Sequence, residues 1–373
     1  LPPDITRFYS KAGFITSYLY QQLKDQVEMF FLPALGTHEP MSDKEIDGMF
    51  GTEIPKELFL PHFWRTDVVK LGEVSAERIA ELSDNKLNCS MEIAVNKLLL
   101  DKKWDLIISV GQIVPHEVIG MANYTKNVLV GTGGEDTIHK SHFLGAVYGM
   151  ERIMGRTYTP VRKALNEGFD QYLRHLPIEF ILTVLGKKNG KLALQGVFCG
   201  NQDDTYEEAC QLSQQLNLNL LDKPIKKAIV FLEPAEFKTT WLGNKAIYRT
   251  RMAMADDGEL IILAPGLHRF GEDIEIDQLI RKYGYKTTDA AAHLIHGTTD
   301  NRFNVTYCPN DGVSKEEIES VNYQYCHYKE MLKRYPIEKM ENGWNILEDG
   351  EEVFYVSNPA LGLWTTKEKF NNQ

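Results

Sequence analysis

The sequence predicts an α/β protein built of two α/β domains with largely parallel sheets. Three observations carry that reading. Short β-branched apolar runs alternate with amphipathic stretches on both sides of Pro224, the pattern of parallel strands joined by crossover helices. The chain has 373 residues, against ~100–200 for one typical domain. Histidines stand just past two of the apolar runs, at His38 and His116, and ligands of open α/β sheets bind outside the carboxyl ends of strands. Asp222-Lys-Pro224 reads as the boundary, giving a first domain over 1–224 and a second over 225–344. Residues 345–373 are a candidate to pack back on the first domain, and the active site is expected in the cleft between the two.

Composition narrows the function. Hydrophobic residues make up 43 % and charged residues 25 % of the chain, as in ordinary soluble globular proteins. The net charge of −11 argues against sequence-independent binding to nucleic acid or an anionic membrane. Five scattered cysteines without a CxxC form neither a disulfide framework nor a zinc ribbon; reduced thiols fit a cytoplasm. No apolar run approaches the ~18 residues of a spanning helix. The sequence begins at Leu1 rather than Met, which leaves room for upstream residues, a signal peptide included.

Taken in order, Pro2-Pro3 excludes a helix at the start, and Asp4, Thr6 and Arg7 fall on a loop. Ile15, Tyr18, Leu19 and Leu23 mark a helix from about Ile15 to Lys24. Val27 to Leu35 reads as a buried strand ending at Gly36-Thr-His38. Ser42 with Glu45 three positions on spells a capping box. A short strand lies in 56–75, and Met91 to Leu100 fits a strand or a helix start. Trp104 to Val110 is a buried strand running into Gly111-Gln-Ile-Val-Pro-His116, and Asn127 to Val130 is a short strand feeding the run Gly131-Thr-Gly-Gly134. Phe143 to Ile153 is helical, Ile178–Leu185 and Leu192–Phe198 form a hairpin across Lys188-Asn189-Gly190, and Tyr206 to Leu216 is a helix. Beyond Pro224, Ala228–Leu232 and Glu259–Leu263 are strands, Trp241–Met254 and Ile276–Tyr283 helices, and the acidic ILEDGEEVF a solvated hairpin.

The stretch Val114–Gly149 concentrates the residues with chemistry: His116, Lys126 ten positions on, His142 sixteen beyond that, and the glycine run between them. Glycines let a backbone approach a ligand closely, so an amine and imidazoles around them suggest a cofactor or metal pocket. Singly, each has a bland reading. Lysines such as Lys126 are mostly solvated, and a histidine at a strand end is commonly a hydrogen-bonded structural residue. His139 and His142 have HxxH spacing, which on a helix suits two zinc ligands but lacks a third.

Together, these residues carry a resemblance to the nickel-dependent lactate racemase family. The chain shows Asp4-x-Thr6-Arg7, then Gly36-Thr37-His38-x-Pro40-Met41, then Pro115-His116 with Lys126 and His142 at the family's spacing. This likeness covers most of residues 1–160, and WLGNKAIYRTRMA, LIILAP and FGEDIEIDQLIRKYGY in the second half are similar to the wider set of relatives. The resemblance implies a nickel-pincer nucleotide joined to Lys126, with nickel held by His142; soft sulfur and imidazole ligands suit that metal. It implies His38 and His116 as acid and base, Arg7 on the substrate carboxylate, and Asp4, Thr6, Gly133 and Gly134 around the cofactor. Imidazole, with an unperturbed pKa of ~6.5, can both take and give a proton near neutrality. The reaction implied is racemisation or epimerisation of a 2-hydroxy acid by removal and return of a hydride.

In lactate racemase a Gln and a Lys three residues later help hold substrate. Here Lys245 matches, but Leu242 stands where the amide would be, among Trp241, Asn244, Tyr248, Arg249 and Arg251. Trp241, Lys245 and Tyr248 share a helix face. With Arg249 they are the expected substrate contacts, for a 2-hydroxy acid larger than lactate, such as a sugar acid. Two other readings stand beside this one: a zinc hydrolase on His116, His139 and His142, and a non-catalytic carrier of the nucleotide, which would need Lys126 and His142 only. The expected partners are a small-molecule substrate and cofactor-biosynthesis proteins, with no nucleic acid and no membrane. The abrupt join at Thr288-Asp289, where relatives carry a longer stretch, reads as a place where residues are missing, a loop that would form a lid over the cleft.

Overall fold

The structure is a computed structural model that describes residues 1–188, 191–272, 274–286 and 301–372; the Thr288-Asp289 junction lies outside them. The chain divides into two compact units, Leu1–Asn217 and Leu218–Gln373.

In the first unit a 3-10 turn, Ile5–Ser10, leads into α1 (Ala12–Leu23). α2 (Asp43–Phe50) opens with the expected capping box, Glu45 N donating to Ser42 Oγ and Ser42 N to the Glu45 carboxylate. β1 (Val68–Val74), α3 (Ala76–Leu82) and β2 (Met91–Asn96) follow, β1 and β2 pairing antiparallel. Met91–Leu100 thus divides into a strand and a 3-10 turn over Lys97–Leu100. β3 (Ile107–Gln112) leads to a minimal hairpin of β4 (Pro115–His116) and β5 (Gly120–Met121). Then come α4 (Thr125–Leu129), α5 (Glu135–Tyr148), α6 (Met150–Ile153) and α7 (Pro160–Tyr172). The unit closes with the hairpin β6 (Ile178–Lys188) and β7 (Lys191–Gly200) and with α8 (Asp203–Asn217).

β6 lies parallel to β3, with Ile107 opposite Ile178 and Gln112 opposite Thr183. The first residues of the chain extend this sheet. Leu1 N donates to Ile108 O at 2.6 Å, and Val110 N to Leu1 O at 3.2 Å, which sets Leu1 beside Ser109 in parallel. Pro3 then bridges Ala34, again in parallel. Three carboxyl ends, after Ala34, after Pro3 and after Gln112, therefore open on the same edge.

Two expected strands differ. Val27–Leu35 is buried at Phe31, Leu32 and Leu35 but pairs only through isolated bridges. Pro33 has no N–H to donate, and Phe31 turns both its backbone groups to Leu58 and Leu60. Asn127–Val130 is helical in α4: Val130 N donates to Lys126 O at 2.8 Å. Val128 and Leu129 are fully buried, and a four-residue apolar run fits a buried strand and a buried helix turn equally well. The helix expected from Phe143 begins eight residues earlier, at Glu135.

The second unit has β8 (Leu218–Leu221), β9 (Ile225–Phe231), α9 (Thr240–Gly243), α10 (Lys245–Thr250), β10 (Met254–Ala264) and α11 (Ile274–Tyr283). β11 (Phe303–Pro309), α12 (Lys315–Ser320), β12 (Gln324–Tyr325), α13 (Tyr328–Arg334), β13 (Gly343–Ile346), β14 (Glu352–Val356), β15 (Leu363–Thr366) and α14 (Lys367–Asn371) follow. Its main sheet runs β12-β11-β10-β9-β14-β13, parallel except for the acidic hairpin β13–β14. Ala228, Val230, Leu260 and Ile262 are fully buried at its centre; strands covered on both faces read as continuous apolar runs. Among the described residues six of ten strand pairings are parallel, in keeping with the predicted class.

The division falls at Asn217, seven residues before Pro224, because β8 pairs in parallel with β15. Residues 345–373 belong to the second unit, where β14 lies beside β9. The helix expected over Trp241–Met254 is α9 and α10, and Met254 already opens β10 opposite Ile225. Among the described residues no helix is long and apolar enough to cross a membrane.

Candidate active site

The carboxyl edge of the first unit's sheet brings Asp4, Thr6, Arg7 and His38 to one corner, beside the start of the glycine run. His38 follows Ala34 through a tight turn, with Gly36 N donating to Gly131 O at 2.8 Å and His38 N to Leu35 O at 3.0 Å. Its Nδ1 lies against the Asp4 carboxylate. Asp4 is 3 % exposed, and its other oxygen accepts from Thr6 N at 3.1 Å and Thr6 Oγ1 at 2.5 Å. Burial pushes the Asp4 carboxyl up, but the His38 ring, the Thr6 hydroxyl and Arg7 outweigh it and hold it below the usual carboxylate range. An ionised Asp4 therefore accepts from His38 Nδ1–H, so Nε2 is the nitrogen at which the ring gains or loses a proton. Asp4 and Thr6, expected at the cofactor, are thus engaged with His38 and with each other. Arg7, half-buried in the 3-10 turn, adds its charge to the same corner.

His116 has the opposite arrangement. It is 5 % exposed, in the hairpin that follows β3. Val118 N donates to its Nδ1 at 3.1 Å. A backbone N–H cannot accept, so Nδ1 is the acceptor and a ring proton sits on Nε2, with the Glu117 carboxylate 4.0 Å from Nδ1.

Lys126 stands on α4, half-buried between buried Thr125 and Asn127, not on an open surface. Asn127 ties α4 to the sheet, donating to Leu1 O at 3.0 Å and Ser109 Oγ at 2.9 Å. The glycine run turns back against α4: a Cβ on Gly133 would meet Leu129 O at 1.7 Å. Gly133 is therefore required by the chain's own close approach, and Gly134 N donates to Ala94 O at 3.3 Å.

His142 is on α5, and its Nδ1 donates to Ile138 O at 2.6 Å. That bond leaves the lone pair on Nε2, and backbone carbonyls orient metal-binding histidines in this way. His139, half-exposed and near Glu135 at 3.9 Å, packs edge-on to Trp64 instead. Among the described residues no three His, Cys, Asp or Glu side chains gather as a metal site, so His116, His139 and His142 do not make the zinc centre that was the alternative.

The remaining predicted residues lie in the second unit. Lys245, Tyr248 and Arg249 are buried on α10, and Trp241 is half-buried on α9. Tyr248 N still donates to Asn244 O at 3.0 Å, so the face shared by Trp241, Lys245 and Tyr248 survives the break at Asn244. Arg249 is fully buried with Nη1 3.4 Å from Gly362 O. Asn244 is buried too, its Oδ1 accepting from Tyr307 Oη at 2.7 Å.

One residue at this edge escaped the sequence. His62 is 1 % exposed, its Nδ1 3.0 Å from Asn96 Nδ2, and Asn96 N in turn donates to Thr132 O at 2.8 Å. Burial pushes the His62 imidazole below its usual value, so it props the glycine run as a neutral ring. A histidine in PHFW sits in no motif or period, and only the fold brings it under the loop.

Residues 2–153 match the family described as the lactate racemase N-terminal domain. No curated protein matches the chain. Among solved structures, a protein from Thermotoga maritima is similar with a TM-score of 0.84 and 23 % identity, covering 98 % of this chain and 92 % of that one. The lactate racemase apoprotein from Thermoanaerobacterium thermosaccharolyticum is similar with a TM-score of 0.69 and 15 % identity, covering 97 % and 85 %. At these identities the two structures speak for the fold alone.

Proposed function

We propose, from the match of residues 2–153 to the lactate racemase N-terminal domain, that the chain belongs to the lactate racemase family and is an isomerase, a racemase or epimerase of a 2-hydroxy acid. The observation that supports this most is the opposed bonding of two imidazoles: His38 Nδ1 faces the Asp4 carboxylate, which leaves Nε2 to exchange a proton, whereas His116 Nδ1 accepts from Val118 N. Inverting a carbinol carbon through a ketone needs one group to take the hydroxyl proton and another to give one. Two rings held by partners of opposite kind can serve as the acceptor and the donor of that proton near neutral pH.

The cofactor we propose is the family's nickel-pincer nucleotide, and the chain's residues fit it. Lys126 is a half-buried amine suited to covalent attachment. His142 presents Nε2 as a nickel ligand because Ile138 O holds its Nδ1–H. When bound, such a group supplies the acceptor and donor for the hydride of the substrate's C2. Asp4 fixes the tautomer and direction of His38, with Thr6 holding Asp4. Arg7 pairs with the substrate carboxylate, a fork-on-fork contact. Gly133 and Gly134 shape the loop beside the cofactor. Lys245, Trp241 and Tyr248 are the second unit's substrate contacts in this reading, whereas Arg249, with no exposed surface and Nη1 at Gly362 O, supports α10; Leu242 in place of an amide selects a 2-hydroxy acid other than lactate, larger and of the sugar-acid kind. Biosynthetic proteins of the host load the cofactor, in a reducing cytoplasm that keeps the five thiols free.

Intact-mass and metal analysis of protein made beside those biosynthetic proteins tests the reading. An adduct mapping to Lys126 with bound nickel is expected, and Lys126→Ala should carry neither adduct nor racemase activity. An adduct that persists in the variant, or maps to Lys140, overturns the assignment.

A further inference from the structure

The chain enters α4 through a conformation its residues disfavour. Asn123 has φ 62° and Tyr124 φ 59° with ψ −135°. Left-handed φ is uncommon outside glycine, and for a bulky residue such as tyrosine it is an outlier that the surroundings must impose. Lys126 is two residues further on.

What imposes it comes from α7. Arg162 is fully buried. Its Nη2 donates to Met121 O at 2.7 Å and to Asn123 O at 3.0 Å, and its Nη1 to Thr125 Oγ1 at 2.8 Å. Three hydrogen bonds from one guanidinium thus span the turn from Met121 to Thr125. One helical turn along α7, Asn166 Oδ1 accepts from the same Thr125 hydroxyl at 2.7 Å. Tyr124 is caught at its far end as well, its hydroxyl 2.9 Å from Asp203 Oδ1 and its ring stacked on Tyr206. The guanidinium lies 4.5 Å from the Tyr206 ring centroid. Among the described residues no carboxylate pairs with Arg162. Apolar residues of similar volume commonly match or improve on buried charge as fold support, so a buried cation held by carbonyls at this place calls for a reason beyond stability.

We propose that Arg162 is a positioning residue for Lys126: it clamps the left-handed turn Asn123–Tyr124 and so sets where α4 begins and where its lysine stands. The role rests on the reading of Lys126 as the attachment amine. It differs from fold support in one respect, since relieving the strained turn and holding it have opposite effects on Lys126.

Four proteins separate the two: wild type, Arg162→Lys, Arg162→Met, and Arg162→Met combined with Asn123→Gly, in which glycine accepts the left-handed φ. Each is made beside the cofactor-biosynthesis proteins and, separately, alone; melting temperature and intact mass are read for all. Arg162→Met should melt below wild type, and its Lys126 adduct should fall by about tenfold or more, since ~1 Å of misplacement can cost two orders of magnitude in rate. The glycine should restore melting but not the adduct, and Arg162→Lys, with one donor group in place of a fork, should stay below wild type in adduct while remaining folded. Wild-type adduct occupancy in the thermally restored double variant overturns the proposal. If Arg162→Met does not fold, wild-type occupancy in folded Arg162→Lys does the same. If wild type itself carries no adduct, the racemase reading fails. The clamp is then judged on protein made alone, by the acylation rate of Lys126 with an N-hydroxysuccinimide ester relative to Lys140, which pairs with Asp136 on α5. A ratio changed about threefold or more in the restored variant supports the clamp, because acylation reads where the amine stands; an unchanged ratio overturns it.

Discussion

Replacing Asp4 with asparagine changes one proton at the candidate site. In the wild type His38 Nδ1–H meets a carboxylate, and Thr6 N and Oγ1 donate to the other oxygen. Asparagine keeps an acceptor for Thr6 but turns an N–H toward His38. The ring can satisfy it only by accepting at Nδ1, which moves the imidazole proton to Nε2. The stability cost follows from exchanging a hydrogen bond to a charged group, worth ~1.5–3 kcal/mol, for a neutral one of ~0.5–1.5 kcal/mol, a net loss of ~1–2 kcal/mol. In a unit of this size that lowers the melting temperature by ~2–8 °C. The catalytic cost is larger, because His38 ceases to be a proton acceptor; general acid–base groups contribute ~10²–10⁴-fold, and a wrong tautomer forfeits that. The pH dependence has a fixed sign. The Asp4 carboxyl is held below its usual value, so its stabilisation is complete above the unfolded value of ~3.9 and fades as pH falls through the folded one. The wild type should therefore outmelt Asp4→Asn by the full margin near pH 6, and the margin should shrink in strong acid. Melting curves across pH, adduct mass and interconversion rate measure all three. A loaded variant that interconverts substrate within about threefold of wild type refutes the tautomer argument. A folded variant that fails to load cofactor would assign Asp4 to the cofactor instead.

Other substitutions address the remaining roles. His142→Ala should lose bound nickel while His139→Ala keeps it, read by metal analysis of loaded protein; equal loss from both would return the zinc-type HxxH reading. His38→Ala and His116→Ala should each slow interconversion by ~10²-fold or more with the Lys126 adduct intact. Neither can spare one direction of net turnover, since the equilibrium constant belongs to the substrates, and loss of the fold or of the adduct without a catalytic defect would make that histidine structural.

The second unit was the more legible in sequence. Ala228–Leu232 and Glu259–Leu263 lie within β9 and β10 or a residue beyond them, because strands buried on both faces leave unbroken apolar runs. The hairpin β6–β7 and the capping box at Ser42 were equally plain, each written in a local signal. The boundary at Pro224 was displaced because β8 is recruited by β15, over 140 residues away, a pairing no local pattern announces. Asn127–Val130 carried a strand's composition into a helix turn. At the site, the spacing of His116, Lys126 and His142 was visible, and so was the placement of His38 past an extended segment. The proton positions were not: they depend on Val118 N, Ile138 O and the Asp4 carboxylate, partners chosen by backbone geometry. Arg162 was hidden for the same reason, since nothing in PVRKAL distinguishes a buried clamp from a solvated arginine.

Isotope retention tests the proposed reaction most directly. Nickel-loaded protein is given a panel of 2-hydroxy acids deuterated at C2, lactate and sugar acids among them, in ordinary water. The account predicts that at least one is inverted, and that its product keeps deuterium at C2, because the label leaves and returns as hydride while His38 and His116 exchange only the hydroxyl proton. Inversion with the label washed out to solvent would mean that a base removes the C2 proton, and would contradict the account, as would a fully loaded protein that inverts none of them.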